Sequence, residues 1–539
     1  MPVRAGVTPS KLRGGYYTPA AVADVLVAWA LGDGATRVLE PSAGDGAFVA
    51  AVARQSPAAV VDAVELDPLE AEGIRRRVPA ATVTAGDVFG WYSPDRDGSY
   101  DAVVGNPPFI RYQTFPEAHR AAGFALMHDE GLRPNRLTNA WVPFVVLATR
   151  ALAAGGRLAM VLPAELLQVT YAGELREYLS RRFRTLTVVT FRRLVFAGIQ
   201  QETVLMLGVR GRGPEDPPAT MSFVELDGVD ELNADAVDTA ERVAVDLDHG
   251  REKWTQYYLS ARELGLVREV EAAGALAVLG ELASVDVGVV TGRNEFFVLT
   301  PSQADALGVR DQCVAIVGRS AQIPGLVLSK QEWQEAVDAD GRCLLLQLGR
   351  TARDSLNPAA LAYVEAGEAA GHHRGYKCRI RLPEWWFVPS TAVPDAFLLR
   401  QVHDGPRIVV NAAGATCTDT IHRVRVRGGV DVKWLAAASV NSATFAFSEI
   451  RGRSYGGGVL ELEPNEADAL PFPRPGDELP VDDLDAWARG KRVEAVLDEV
   501  DRVVLGDCGL TPAEVAVLRG IWRELSGRRR SRTRRRAKL

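Results

Sequence analysis

YDAVVGNPPFIRYQ, residues 100–113, decides how this chain is read. An apolar run of strand type ends in Asn106-Pro107-Pro108-Phe109, a stiff turn with a polar tip and an aromatic ring. Prolines restrict φ and carry no N–H, so the turn holds its shape and adds no competing donor. The groups left to act are the amide oxygen of Asn106, the backbone carbonyl of Pro107 and the face of Phe109. Two neighbouring acceptors suit both hydrogens of an exocyclic amine whose lone pair is delocalised into a base ring. They favour a pyramidal nitrogen and stabilise positive charge as it develops, while Phe109 offers a surface on which a planar base stacks. A rigid loop with a buried ring is the plain structural alternative.

Outward from this stretch, short apolar segments alternate with helical ones. TRVLEP (36–41), AVVDAVELD (59–67), ATVTAGD (81–87), DAVVGN (101–106), RLAMVLP (157–163) and TLTVVTF (185–191) read as buried strands. AAVADVLVAWAL (20–31) and VPFVVLATRALAAGG (142–156) read as helices between them. The pattern predicts an α/β fold with a mostly parallel sheet covered on both faces. ETVLMLGV (202–209) is expected to complete it as an antiparallel edge hairpin, and MSFVELD (221–227) to belong to the same domain.

Ligands of open α/β sheets sit beyond the carboxyl ends of the strands. Here successive strand ends carry, in order, the turn EPSAGDGAF with Gly44 and Gly46, then Glu65, then Asp87. Glycines let a backbone approach a ligand closely. Glu65, 25 residues after Glu40, stands where a carboxylate accepts ribose hydroxyls, and Asp87 where one accepts an adenine amino group. Phe89 could pack on that adenine. Taken singly, each has a bland reading as a tight turn, a surface carboxylate or a core ring; their order is what points to a nucleoside. The third glycine of G-x-G-x-x-G is missing and the turn starts at Glu40-Pro41, so a nucleoside without pyrophosphate is expected.

The succession GGYYTPAAV, EPSAGDGAF, VELDP, AGDVF and GNPPF resembles the gamma-class, TaqI-like DNA adenine-N6 methyltransferases that depend on S-adenosylmethionine and belong to restriction–modification systems. The resemblance covers about residues 14–209, with a looser echo at 282–299. It implies a Rossmann-like methyltransferase sheet followed by a target-recognition domain. It places Thr18 and Pro19 near the cofactor's methionine end, with Glu40 and the turn Ser42, Ala43, Gly44 to Gly46. It gives Glu65 the ribose, Asp87 the adenine, and Asn106 with Pro107 the target amine of a flipped adenine stacked on Phe109. NAWVPF and RRLVFAGIQQETVLML are similar to family segments that add Phe144 and Phe196 to the target-base pocket. The family often has tyrosine in place of Phe109, and stacking does not need its hydroxyl.

A chain of 539 residues predicts two or three domains. Expected are a catalytic domain over 1–245, a mixed α+β target-recognition domain over 246–475, C-terminal helices over 476–527, and a basic tail over 528–539. Thr511, Pro512 and Glu514 form a helix-starting capping box. The net charge of −7 argues against a nucleic-acid partner, but its distribution does not. Residues 374–427 hold nine Lys or Arg against four Asp or Glu, and the tail holds eight basic residues and no acidic one. HHRGYKCRIRLPEWW (372–386) interleaves basic and aromatic residues, and Arg374, Lys377, Arg379 and Arg381 are the expected phosphate contacts with double-stranded DNA. TCTDTIHRVRV (416–426) is rich in hydrogen-bonding side chains. Five scattered cysteines without a C-x-x-C pair predict neither disulfide framework nor metal site, and fit a reducing cytoplasm. No membrane span is expected.

Shorter RNA and protein-glutamine methyltransferases also carry N-P-P-Y, and a catalytically silent DNA-binding subunit is a second rival. Cytosine-N4 enzymes usually carry S-P-P-W. No acid-x-acid-x-Lys cluster suggests a fused nuclease. The expectation is therefore a protective adenine methylase, with a separately encoded restriction endonuclease and a monomeric or weakly dimeric state.

Overall fold

The computed structural model describes residues 18–192, 203–211, 220–233 and 253–531, apart from residues 33, 456 and 457, and residues 213, 237 and 243–244 besides. The chain divides into two compact units, one running to Tyr258 and the other starting at Leu259.

In the first unit the helices are α1 (Ala20–Leu31), α2 (Ala47–Gln55), α3 (Pro68–Arg77), α4 (Val88–Trp91), α5 (Glu117–Asp129), α6 (Trp141–Ala151), α7 (Glu165–Gln168) and α8 (Gly173–Arg182). The strands are β1 (Arg37–Glu40), β2 (Val60–Glu65), β3 (Thr82–Ala85), β4 (Tyr100–Gly105), β5 (Leu152–Pro163), β6 (Phe183–Phe191), β7 (Thr203–Arg210), β8 (Thr220–Leu226) and β9 (Val243–Ala244). They form one nine-stranded sheet in the order β3-β2-β1-β4-β5-β7-β6-β8-β9. β3, β2, β1, β4 and β5 run parallel, so Glu40, Glu65, Ala85 and Gly105 end at one edge of the sheet.

The alternation of side chains explains why the sheet is covered twice. Leu158, Met160 and Leu162 point into the core formed with α6 and α8, while Ala159 and Val161 point into the core formed with α1 and α2. Successive strand residues face opposite ways, so a run apolar at every position needs helices on both sides. Each large side chain so buried contributes roughly 1.5–3 kcal/mol.

The antiparallel hairpin forms at the expected end of the sheet, but β7 is not its outer strand. It lies between β5 and β6, antiparallel to both, and the sheet continues through β8 and β9. Val204, Leu205, Met206 and Leu207 are all buried, which suits an interior position. The unit also runs past residue 245. Trp254 is fully buried in the α6–α8 core, and Tyr257 stacks on Phe223 of β8 at 5.4 Å.

The second unit holds a five-stranded sheet ordered Ala283–Val287, Ile421–Val426, Ala396–Leu399, Ile408–Asn411 and Val327–Leu328. A four-stranded sheet joins Val298–Leu299, Leu344–Leu346, Cys313–Val317 and Thr416–Cys417. Helices Val481–Arg489, Val493–Val500 and Pro512–Ser531 come last in the chain order of this unit, the third started by the Thr511–Glu514 capping box. That helix runs beyond residue 527, into the stretch expected as a separate basic tail. Arg529 is only 2 % exposed; its Nε donates to Glu449 Oε2 at 3.1 Å, and the guanidinium also reaches the carbonyls of His403 and Gly458. The first basic residues of the tail therefore hold the helix in place.

Candidate active site

The C-terminal ends of β1, β2, β3 and β4 enclose a cavity of about 340 Å³. Thr18, Glu40, Ser42, Ala43, Gly44, Glu65, Asp87, Phe89, Asn106 and Phe144 line it, so most of the residues singled out from sequence meet in one place. Pro19 precedes the first residue of α1, Gly46 is the residue before α2, and Pro107 is buried. Phe109 is half-buried and packs on the α6–α8 core rather than on the cavity wall. Phe196 lies outside the described residues.

The glycine turn is held by the carboxylate at the next strand end. Gly44 N–H donates to Glu65 Oε2 at 2.7 Å, and Asp67 N–H to Glu65 Oε1 at 2.8 Å. Gly44 and Gly46 take φ of 53° and 77°, in the left-handed region, and a Cβ on Gly46 would meet Ile74 Cγ1 at 2.8 Å. Glu40 is 2 % exposed and accepts the N–H of Val49 at 3.1 Å.

The electrostatics of the wall are one-sided. Glu40, Asp45, Glu65, Asp67, Glu70 and Asp87 line the cavity, with His119 as its one basic side chain among the described residues. Burial pushes the Glu40 carboxyl well above its ordinary value and raises Asp45 and Glu65 too; neighbouring carboxylates add to each shift. A cavity so charged repels a pyrophosphate and attracts a cation. It therefore fits S-adenosylmethionine, whose sulfonium and ammonium groups outweigh its carboxylate.

The loop after β4 is fastened on both sides. Asn106 Nδ2 donates to Thr18 Oγ1 at 3.3 Å, and the Ser42 hydroxyl donates to the Asn106 carbonyl at 3.3 Å. On the outgoing side Ala140 N–H donates to the Ile110 carbonyl at 2.9 Å, and Tyr112 N–H to Asn139 Oδ1 at 3.2 Å. Asn139 Nδ2 in turn reaches Glu165 Oε2 at 3.1 Å and the Tyr171 hydroxyl oxygen at 2.9 Å. Tyr171 donates its own proton to Glu165 at 2.5 Å.

The structure adds wall residues that motif order did not reveal. Ile110, Phe115, Pro116 and His119 come from the loop and from α5, and Glu70 from α3. Phe89 meets Phe144 edge-on at 5.0 Å and tilts toward Phe115 at 6.5 Å. His119 Nδ1 stands 3.8 Å from Asp87 Oδ1. The only available signal was the apolar and aromatic content of 109–115.

In the second unit, residues 372–386 form short helical turns at His372–Arg374 and Tyr376–Arg379. Arg374, Lys377 and Arg379 are exposed. Arg381 departs from the reading made of all four: its guanidinium donates to the carbonyls of Thr291 at 3.0 Å and Val290 at 2.5 Å. Trp385 and Trp386 are buried core. In 416–426 much of the polar capacity is used internally, since Thr418 and Thr420 donate to the Gly318 carbonyl and buried His422 pairs with the Leu462 carbonyl.

Residues 73–196 match the family model for the Eco57I restriction-modification methylase, and residues 251–505 that for the C-terminal domain of type II methyltransferase M.Eco57I. Type II methyltransferase M.AccI of Acinetobacter calcoaceticus is 21% identical over 84% of this chain and 83% of its own. Type II methyltransferase M.XamI of Xanthomonas campestris pv. amaranthicola is 26% identical over 85% of each. The release factor glutamine methyltransferase of Mycolicibacterium smegmatis is 32% identical, but over only 27% of this chain and 53% of its own. The two models together match more than half of the chain, the first the middle of the sheet-bearing unit and the second most of the other, and the chain belongs to the Eco57I family of S-adenosylmethionine-dependent restriction–modification methylases.

Proposed function

We propose that this chain protects host DNA by methylating N6 of an adenine at a specific duplex site, the adenine first being extruded from the stack. One observation carries the reading: Asn106 and Pro108 line the anionic cavity, so an amine held by their loop lies beside a site suited to a cationic methyl donor. Bound there, S-adenosylmethionine supplies an electrophilic methyl group.

In this reading Glu65 and Asp87 hold the ribose and adenine of the cofactor, while Glu40 and the turn from Ser42 to Gly46 receive its amino-acid end with Thr18 and Pro19. Asn106 Oδ1 and the Pro107 carbonyl accept the two hydrogens of the target amine. These two acceptors would pyramidalise N6, free its lone pair as a nucleophile and stabilise the positive charge that develops on it. Phe144, on the cavity wall, flanks the extruded base, with Phe109 and Phe196 as further candidates. Arg374, Lys377 and Arg379 hold phosphates, whereas Arg381 supports the turn that carries them. A separately encoded endonuclease, a monomer or weak dimer, and a cytoplasmic setting complete the proposal. No helix among the described residues is long and apolar enough to cross a membrane.

The glutamine-methylating alternative shares only the catalytic core, and leaves the second unit without a task. Methylated adenines mapped in DNA from a host expressing this chain, with tritium transfer to duplex DNA, RNA and protein acceptors compared, test the proposal. A recurrent methylated adenine motif is expected. Transfer to protein or RNA alone would overturn it.

A further inference from the structure

Nine large apolar side chains are exposed among the described residues, and three of them fall within one short stretch. Tyr376 is 66% exposed, Ile380 60% and Leu382 53%, and exposed Arg374, Lys377 and Arg379 stand among them. None of these three basic residues forms an ion pair among the described residues. Solvent alone does not favour this arrangement, because three bulky apolar groups this close gain by burial.

The base of the stretch is firmly seated. Cys378 is fully buried, Arg381 is tied to the carbonyls of Val290 and Thr291, and the chain beyond enters the core at Trp385 and Trp386. At Gly292, φ is 83° and a Cβ would meet Lys377 Cβ at 2.7 Å, so the absence of a side chain lets the turn lie against this backbone. The seated residues present the others outward on a fixed platform.

We propose that Ile380 and Leu382, with Tyr376 beside them, form an apolar wedge that enters a base step of duplex DNA while Arg374, Lys377 and Arg379 grip the flanking phosphates. Charge complementarity selects the partner. A polyanion whose interior is apolar and stackable satisfies both halves of the patch, and proteins that kink DNA insert aliphatic side chains between bases in this way. A second copy of this chain, net −7, carries no stackable interior. The wedge rests on the DNA-methylating reading and adds to it a device that deforms the duplex.

Two double variants test it, Ile380→Ser/Leu382→Ser and Lys377→Ala/Arg379→Ala, each altering exposed side chains and expected to leave the thermal midpoint of the full chain unchanged. Binding is measured by anisotropy on a short duplex carrying the mapped methylation site, across a salt series, and unstacked thymines are mapped by permanganate. The serine pair is expected to lose about tenfold in affinity, to keep the wild-type salt slope, and to lose permanganate reactivity at a step other than the target pair. The alanine pair is expected to lower the salt slope by about 2, near one for each phosphate contact. A serine pair that binds and footprints like wild type sinks the wedge alone, as does one that changes only self-association. A wild-type chain that methylates no duplex DNA sinks the functional reading beneath it.

Discussion

The side-chain nitrogen of Asn106, at the end of β4, donates to Thr18 Oγ1, just before α1, at 3.3 Å. This orients the amide, since a nitrogen committed to Thr18 makes the oxygen the acceptor for a substrate amine. Asn106→Ala is expected to lower the single-turnover methylation rate about 10²–10³-fold, the usual cost of losing one preorganised transition-state contact. Binding of S-adenosylhomocysteine, read by calorimetry, stays within a few-fold. Undiminished turnover in a folded variant would remove the loop from the chemistry.

Glu40 sets a pH dependence. Burial raises its folded pKa above the ordinary 4.5, so the ionised form is penalised in the fold. The stability contribution of such a group is complete below the unfolded value and is lost as pH rises through the folded one. At pH 7 ligand-free Glu40→Gln should therefore be more stable than wild type by about 1 kcal/mol, in the manner of functional carboxylates. The gap should close below about pH 4.5. Melting curves across that range check the sign, and a gap that widens on acidification would refute it.

Glu65 joins the glycine turn to the start of α3 through the N–H groups of Gly44 and Asp67. Glu65→Ala leaves both donors without their carboxylate and is expected to cost about 1–3 kcal/mol of stability. It should also weaken S-adenosylhomocysteine binding more than tenfold, by about 1.4 kcal/mol or more. Calorimetry beside thermal denaturation separates the two effects.

Asn139 and Tyr171 brace the loop after β4 through Tyr112 and Glu165. Small displacements of reacting groups are costly, so Asn139→Ala is expected to lower kcat about 10-fold or more while the KM for cofactor changes little. Tyr171→Phe, which keeps the ring and removes one hydroxyl, should show a smaller loss. Equal losses in kcat and cofactor affinity would instead signal general disruption.

Arg529 pairs with Glu449 inside the second unit. Arg529→Ala should destabilise that unit by about 3–5 kcal/mol, because a buried carboxylate is left unpaired. Reading Arg529 as a DNA-contacting tail residue predicts an unchanged melting temperature with weaker DNA binding. Thermal denaturation beside anisotropy decides between them.

Much of the first unit is legible in the linear pattern. The residues ending β1, β2 and β4 could be named because strand-length apolar runs stop there, and parallel strands bring their ends to one edge. The position of β7 between β5 and β6 was not legible, since its apolar run suits an edge or an interior strand until pairing is chosen. His119 and Phe115 were missed for a similar reason: an inserted helix carries them, and only its packing turns them toward the cavity. In the second unit Arg379 and Arg381 look alike in sequence, yet one is exposed and the other is bound by carbonyls 90 and 91 residues away.

What the sequence by itself determined is the succession of strands along the chain, the identity of the groups at their ends, and the chemistry of an Asn-Pro-Pro-Phe turn. Period and spacing are local properties and survive without knowledge of neighbours. Tertiary structure alone decided which polar groups are already satisfied: Arg381 and Arg529 spend their donors inside the fold, while Arg374, Lys377 and Arg379 remain at the surface. A charged side chain goes to whichever acceptors folding places within reach, and those acceptors lie far off along the chain.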